Sequence, residues 1–411
     1  MNICVIGLGY IGLPTALLLS KNYEVFGYDI KEEVVNKINN KIAPFIESGI
    51  NDLLDGSNII AHNKPTKSDV YVICVPTPYD PYLKSANLSY LKKAITDIIP
   101  LLDKENLIII ESTIPPGTSE KLVIPMVEKR GLIVGKDVYL CHCPERAIPG
   151  NTINEMINNH RIIGGINNES SNKAENIYKS YVKGTIYKTN LKTAEFIKLI
   201  ENAFRDVNIA YANELALISK EIGINVWEAI ELANKHPRVN ILKPGPGVGG
   251  HCIAVDPLFL VDTSVNAHLI NQARQINDSM PLHVIKQIIS DNIAKKVEPL
   301  EVTIFGVSYK GDVDDTRETP ILKLIHLGIK EGWTIRLYDP YVKEFEFPIS
   351  SFEESIKGSD LLIIGVDHSI FKNLKPEQLS SMRVKRVYDT RNILDARKFV
   401  EAGFDLRVLG S

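Results

Sequence analysis

The feature that most restricts this chain is Gly7-Leu8-Gly9-Tyr10-Ile11-Gly12, placed directly after the short apolar run at residues 2–6 and opening an amphipathic stretch. In a strand–turn–helix setting each glycine has its own task. Gly7 permits the tight turn, Gly9 lets the backbone approach a pyrophosphate, and Gly12 lets helix and strand pack closely. The helix N-terminus then presents unpaired N–H groups and a partial positive charge to the phosphates. A second apolar run, 24–28, leads to Asp29, twenty residues beyond Gly9 (29 − 9 = 20). An acid there accepts from a ribose 2′-hydroxyl and repels a 2′-phosphate, so the spacing predicts NAD rather than NADP. Tyr10 and Ile11, between the glycines, are expected among the cofactor contacts.

The rest of the first segment continues in the same style. Runs at 70–75, 107–110, 137–143 and 161–166 read as strands, with helical patterns such as 12–21 and 31–40 between some of them. Alternating strands and helices predict βαβ units and a parallel sheet. Ligands in such sheets bind at the carboxyl ends of strands. That makes Pro76 and Thr77, after the third run, and Glu111-Ser112-Thr113, after the fourth, candidates to border the nicotinamide. Ser112 alone reads equally well as a helix cap.

From Lys192 to Gly223 the chain is one proline-free helical pattern, about three times the length of an average helix. Further helices are expected over 226–235 and 266–295. The alternating pattern then restarts, with strands predicted at 302–307, 334–338, 361–366 and 386–388 and a helix at 319–331. The expected fold is α/β, two Rossmann-like parallel-sheet domains joined by a long central helix. Residues 1–190 form the NAD domain, 191–298 a helical central and dimerisation domain, and 299–411 a smaller α/β domain. The two α/β parts suggest a duplication, with the cofactor fingerprint in the first only.

Composition removes several classes. A net charge of −3 attracts neither nucleic acid nor an anionic membrane, and no apolar run reaches the ~18 residues that span a bilayer. The first residues enter a strand pattern with no basic leader, and five cysteines in 411 residues make no disulfide framework, so a cytoplasmic enzyme is expected.

The reacting centre is sought in Pro244 to Pro257, where four glycines precede Cys252. They let a bound substrate approach the backbone, and a thiolate is a strong nucleophile toward a carbonyl. Cys4 and Cys74 lie in apolar runs and read as core. Cys141 and Cys143 flank His142 without a second ligand pair, and no metal is expected. His251 is either a substrate contact or a catalyst. Lys198, Asn202 and Arg205 fall on one helical face, where Lys198 is either solvated surface or an oxyanion stabiliser.

The chain resembles the UDP-glucose/GDP-mannose dehydrogenase family over nearly its whole length. The resemblance is carried by Gly7 to Pro14, Glu111-Ser112-Thr113, Cys143-Pro144-Glu145-Arg146, Glu201 to Asn208, and His236-Pro237-Arg238 through Asp256. It implies NAD as cofactor, Cys252 as nucleophile, Lys198 and Asn202 as the oxyanion pair, and Asp256 as an acid assisting near the thiol. Thr113 and Glu145 match residues that position water. Arg146, Arg205, Gly249, His251 and Lys310 are carried over as substrate contacts, beside Glu145, Lys198 and Asn202, and Arg317 as a cofactor contact from the last domain. Arg238 matches an arginine that reaches the nucleotide sugar of a neighbouring subunit, which implies a homodimer or a higher oligomer. Within the family the segments look most like the branch acting on UDP-N-acetyl-D-mannosamine; UDP-glucose and UDP-N-acetylglucosamine are the alternatives. The UDP-glucose branch carries a second acid where this chain has Pro149, so that branch's hydrolytic details do not transfer. A two-electron hydroxyacid dehydrogenase and a non-catalytic NAD or sugar-nucleotide binder are the rivals of other kinds, and Cys252 argues against both.

Overall fold

The computed structural model describes residues 1–148, 150–250, 252–290 and 300–411. The predicted roles of His251, the departure at Pro149, the end of the helix at 266–295 and the boundary at 298/299 fall outside them. The described chain packs as two units: residues 1–201 with 262–264, and residues 202–261 with 265–411.

The first unit is built on an eight-stranded sheet. In chain order its strands are β1 (Asn2–Ile6), β2 (Glu24–Tyr28), β3 (Ile60–His62), β4 (Val70–Ile73), β7 (Leu107–Ile110), β8 (Tyr139–His142), β9 (Arg161–Gly165) and β10 (Ile186–Asn190); a small hairpin, β5 (Tyr79–Asp80) and β6 (Ser85–Ala86), stands apart. The spatial order is β10-β9-β8-β7-β4-β1-β2-β3. The six strands from β3 to β8 are parallel and reproduce the classic dinucleotide-binding order, whose reversal point lies between β1 and β4. The expected all-parallel sheet is corrected at one edge: β9 pairs antiparallel with β8, and β10 follows it. The chain from β8 to β9 stays near the carboxyl end of the sheet, where Glu47 accepts from the backbone N–H groups of Gly150 (2.8 Å) and Thr152 (2.9 Å). Without a crossover to the amino end of the sheet, the next strand can only run back.

The helix Gly12–Leu19 is buried at every position, as its apolar sequence demands, and its one polar side chain, Thr15, donates to Glu111 Oε2 at 2.9 Å. Leu13, Leu17, Leu18 and Leu19 each bury a side chain against the β1–β2 side of the sheet, worth about 1.5–3 kcal/mol apiece.

The helix Leu191–Ile222 is 32 residues long, about 48 Å at 1.5 Å per residue; it contributes residues to both units. In the second unit the strands β11 (Glu301–Phe305), β12 (Thr334–Tyr338), β13 (Leu361–Ile364), β14 (Arg386–Asp389) and β15 (Asp405–Val408) form a wholly parallel sheet in the order β12-β11-β13-β14-β15. This is the other common doubly wound order, with its reversal between β11 and β13. β3, β10 and β15 were not anticipated. They are short edge strands with exposed positions, and their sequences lack an apolar run.

The start of the second sheet repeats the first. The N–H of Gly7 donates to Tyr28 O and that of Gly306 to Tyr338 O, both at 2.8 Å, and both glycines have positive φ. Leu8 N–H meets Asp29 Oδ2 at 2.9 Å, and Val307 N–H meets Asp339 Oδ2 at 2.8 Å. This geometry agrees with the suggested duplication. The two acids differ in access, since Asp339 is buried against His368 Nε2 at 3.1 Å whereas Asp29 is only half-buried.

Candidate functional site

In the first unit the glycine turn has the geometry that its sequence demands. A Cβ on Gly12 would stand 1.7 Å from the Gly7 carbonyl oxygen, and one on Gly7 would stand 2.7 Å from Cys74 O. A side chain at Gly12 would force strand and helix apart, and one at Gly7 would push the turn away from the end of β4. Gly9 is different: a Cβ there meets no protein atom within 4 Å. Packing does not require that glycine, so close approach of a ligand is the remaining physical reason for it. Asp29 is fixed by Leu8 N–H on one oxygen and Lys31 N–H, at 2.9 Å, on the other. A carboxylate has about four lone-pair sites, so it can still accept from a ribose. These residues fit NAD.

The crevice wall beside β1 is laced together by hydroxyls. Thr77 Oγ1 donates to Thr113 O at 2.6 Å and Ser112 Oγ to Val75 O at 2.7 Å, joining the loops after β4 and β7. Ser112 is therefore a cross-link and not a helix cap. Pro76 is exposed beside them, Tyr10 is half-buried with its ring tilted against Phe45 (4.3 Å between centroids), and Ile11 precedes the helix whose Thr15 N–H bonds its carbonyl.

Glu145 lies in a buried charge cluster that the sequence did not disclose. Arg161, at the start of β9, pairs with Glu145 Oε2 at 2.6 Å and also with Glu111, while its guanidinium carbon lies 4.0 Å above the Tyr178 ring. The second Glu145 oxygen accepts from the N–H groups of Arg146 (2.6 Å) and Ala147 (2.9 Å). Burial raises the proton affinity of Glu145, but Arg161 and the two N–H groups outweigh it and leave the carboxyl below its ordinary range. Glu111 goes the other way: burial dominates over Arg161 and pushes it up. Arg146 commits its fork to Glu201 (2.9 and 2.8 Å) and to His160 O (3.0 Å). A charged residue opening an apolar strand was the one sequence signal for this cluster.

Lys198 is buried on the long helix, and the neutral His142 is close enough to sense its charge. Arg205 is exposed; the face shared by Lys198, Asn202 and Arg205 runs from interior to surface.

In the second unit, Asn202 Nδ2 donates to Asp256 Oδ2 at 2.6 Å, uniting two predicted site residues. Asp256 is buried and begins the helix Asp256–Thr263; its N–H bonds Cys252 O at 2.8 Å. The thiol-bearing turn and the acid are thus one local unit. Cys252 is exposed, unlike the other four cysteines. Burial pushes Cys4 to about 11 and Cys143 to about 12, and raises Cys74 and Cys141 as well.

The loop's glycines have a second purpose, which is packing within the protein. A Cβ on Gly245 would stand 2.4 Å from the Arg391 guanidinium, on Gly247 2.7 Å from the Pro320 side chain, and on Gly249 2.5 Å from Glu318 O. On Gly250 it would stand 2.8 Å from the Tyr309 ring. The glycines admit the protein's own 309–320 segment and Arg391. The same segment carries Lys310 and Arg317, both exposed; Arg317 O accepts from Gly250 N–H at 3.0 Å, and its side chain pairs with Asp315 at 2.6 Å. Lys310 belongs to the loop after β11, at the reversal point of the second sheet, where ligands of such sheets bind. Arg391 follows β14 and was missed, although a basic residue just past a strand's carboxyl end is a recognisable signal. Arg238 is exposed in its turn, with its N–H on His236 Nδ1 at 3.3 Å.

Residues 1–182 match the NAD binding domain of the UDP-glucose/GDP-mannose dehydrogenase family, 192–279 its central domain and 303–396 its UDP binding domain. The chain belongs to this family. It is 49% identical to a UDP-N-acetyl-D-mannosamine dehydrogenase of Methanocaldococcus jannaschii, with 100% of this chain and 96% of that protein covered. Among solved structures it is similar to UDP-D-ManNAc dehydrogenase from Pyrococcus horikoshii (TM-score 0.93, 42% identity, covering 100% and 99% of the two chains). It is likewise similar to the UDP-N-acetyl-mannosamine dehydrogenase from Staphylococcus aureus (TM-score 0.89, 39% identity, 100% and 98% covered). NAD is accordingly the cofactor of this dehydrogenase. No helix among the described residues is long and apolar enough to cross a membrane.

Proposed function

We propose that this chain oxidises the C6 alcohol of UDP-N-acetyl-D-mannosamine to the carboxylate through a thioester on Cys252. The observation that carries the mechanism is the contrast among the cysteines: four are held as protonated thiols by burial, and Cys252 alone is exposed, on a turn joined to Asp256. The choice of sugar rests on the full-length similarity to relatives of that name.

NAD, when bound, supplies the hydride acceptor for both oxidations. The chain's own residues do the rest. Lys198 and the Asn202 amide stabilise the oxygen as it gains negative charge, a contribution of roughly 3–4 kcal/mol for such donors. Cys252 adds to the C6 aldehyde as a thiohemiacetal, which keeps the aldehyde from escaping between the two oxidations. Water then cleaves the resulting thioester. Asp256, with one oxygen fixed by Asn202, assists near the thiol, while Thr113 and Glu145 position water. Gly249, His251, Arg146, Arg205, Lys310 and Arg391 complete the contacts to the nucleotide sugar.

The same reading includes a homodimer in the cytoplasm, with Arg238 reaching the neighbouring site. In its support, the long helix exposes Phe196, Ile200, Phe204, Tyr211, Ile218 and Ile222, which recur at four- and seven-residue intervals as one apolar stripe. A second copy of the chain is the partner that such a stripe fits.

The substrate is tested head to head at equal concentrations against UDP-glucose, UDP-N-acetylglucosamine and GDP-mannose. The reading expects the highest kcat/KM with UDP-N-acetylmannosamine; faster turnover of any other overturns it.

A further inference from the structure

The glycine loop around Cys252 has few side chains of its own with which to hold its shape, yet a nucleophile must be placed closely to be useful: a 1 Å displacement can cost about 100-fold in rate. A continuous chain of buried polar side chains meets this loop on both sides of the thiol. On the near side, Gly245 N–H donates to Asn213 Oδ1 at 2.8 Å. Asn213 Nδ2 donates to Asn277 Oδ1 at 2.8 Å, and Asn277 Nδ2 to Asp206 Oδ1 at 2.8 Å and to Asp206 O at 3.0 Å. Arg274 Nη1 donates to the same Asp206 Oδ1 at 2.6 Å and reaches Ile253 O, the residue after Cys252, at 3.5 Å. All four side chains are buried.

We propose that Arg274 and Asn277, acting with Asp206 and Asn213, are positioning residues that hold the Cys252 turn. The alternative is a cross-link that merely ties the helix His268–Ser290 to the long helix. Two features favour the positioning role. Both ends of the chain terminate on backbone groups of the reactive loop, not on another helix. The network is also an expensive way to join two helices: Asp206 Oδ2 and Arg274 Nε are buried without hydrogen-bond partners, and an apolar replacement for a buried ion pair is often neutral or stabilising. Pro281, inside the second helix, has no N–H for the Asn277 carbonyl, and a Cβ on Gly247 would lie 3.2 Å from that oxygen. The Asn277 carbonyl thus lacks its usual helical donor at the point where the loop lies against the helix.

This inference rests on the thioester reading only for its kinetic arm. Arg274→Lys in the full-length protein keeps the charge beside Asp206 but loses the fork. Hydrogen exchange at the Gly245 amide, measured without NAD or sugar, is expected to speed up by about tenfold or more, and the alkylation rate of Cys252 by iodoacetamide to change with it. With NAD and UDP-N-acetylmannosamine, acid formation per folded molecule is expected to fall by about 100-fold, with NAD affinity and the sugar KM nearly unchanged, and free aldehyde should become trappable by hydroxylamine. Asp206→Asn, which is isosteric, is read in the same way and serves where Arg274→Lys does not fold. Wild-type exchange at Gly245 together with a wild-type alkylation rate overturns the proposal. If exchange and alkylation change but no thioester route exists, the tether stands and the reading of the chemistry falls.

Discussion

His142 provides a prediction whose size follows from the structure. It ends β8 with no exposed surface, and neither ring nitrogen has a hydrogen-bond partner. Burial, followed by the nearby charge of Lys198, lowers its pKa from the usual 6.5 to about 3; the Ile110 backbone opposes the shift and is outweighed. The folded-state pKa is depressed, so the ring's contribution is fully present above pH 6.5 and is lost as pH falls toward 3. At about pH 5 the unfolded chain binds this proton and the folded chain does not, which costs about 2 kcal/mol relative to about pH 7.5. His142→Phe removes the titrating group. Any overpacking by the larger ring is independent of pH, so it offsets the variant's curve without changing its slope. Both tryptophans, Trp227 and Trp333, belong to the second unit, so the first must be followed by native-state hydrogen exchange at the slowest amides of β7 and β8. Between the two pH values the wild type is expected to lose about 2 kcal/mol more protection than His142→Phe. Equal losses in both proteins would refute the assignment of a buried, neutral His142.

Two further predictions concern ligands. Asp29→Ala should weaken NAD binding and narrow the preference for NAD over NADP, measured as the ratio of kcat/KM values; comparable values for both cofactors in the wild type would remove the ribose role. Mixing the inactive variants Arg238→Ala and Cys252→Ala under verified subunit exchange should restore activity, because one site of the mixed dimer then has an intact thiol and an intact partner arginine. Exchange without recovery places Arg238 within its own chain's site or outside it.

What the sequence disclosed and what it withheld separate by range. Gly7, Gly12 and Asp29 were readable because strand, turn and helix are neighbours in the chain, and the closest clash at Gly12 is with Gly7 itself, although the one at Gly7 is with the distant Cys74. Most strands were readable as apolar runs for the same reason. The reversal at β9 was not, since direction depends on where residues 143–160 are anchored, and the anchor is Glu47, about a hundred residues away. The four glycines before Cys252 were noticed, but their packing role was not: it is set by Tyr309, Glu318, Pro320 and Arg391, which no local pattern links to them. The clusters of Arg161 with Glu111 and Glu145, and of Arg274 with Asp206, were hidden likewise, being ordinary charged residues until folding buries them together. Resemblance named Glu145 as a site residue, whereas the structure adds that both of its oxygens already have partners within the protein.

The central claim is a four-electron oxidation through Cys252, and the most direct measurement is NADH formed per UDP-N-acetylmannosamine consumed, for the wild type and for Cys252→Ala. The account predicts two NADH and one uronate per sugar for the wild type, and no net acid from Cys252→Ala with NAD binding nearly intact. One NADH per sugar, or acid formed by Cys252→Ala at a normal rate, would contradict it.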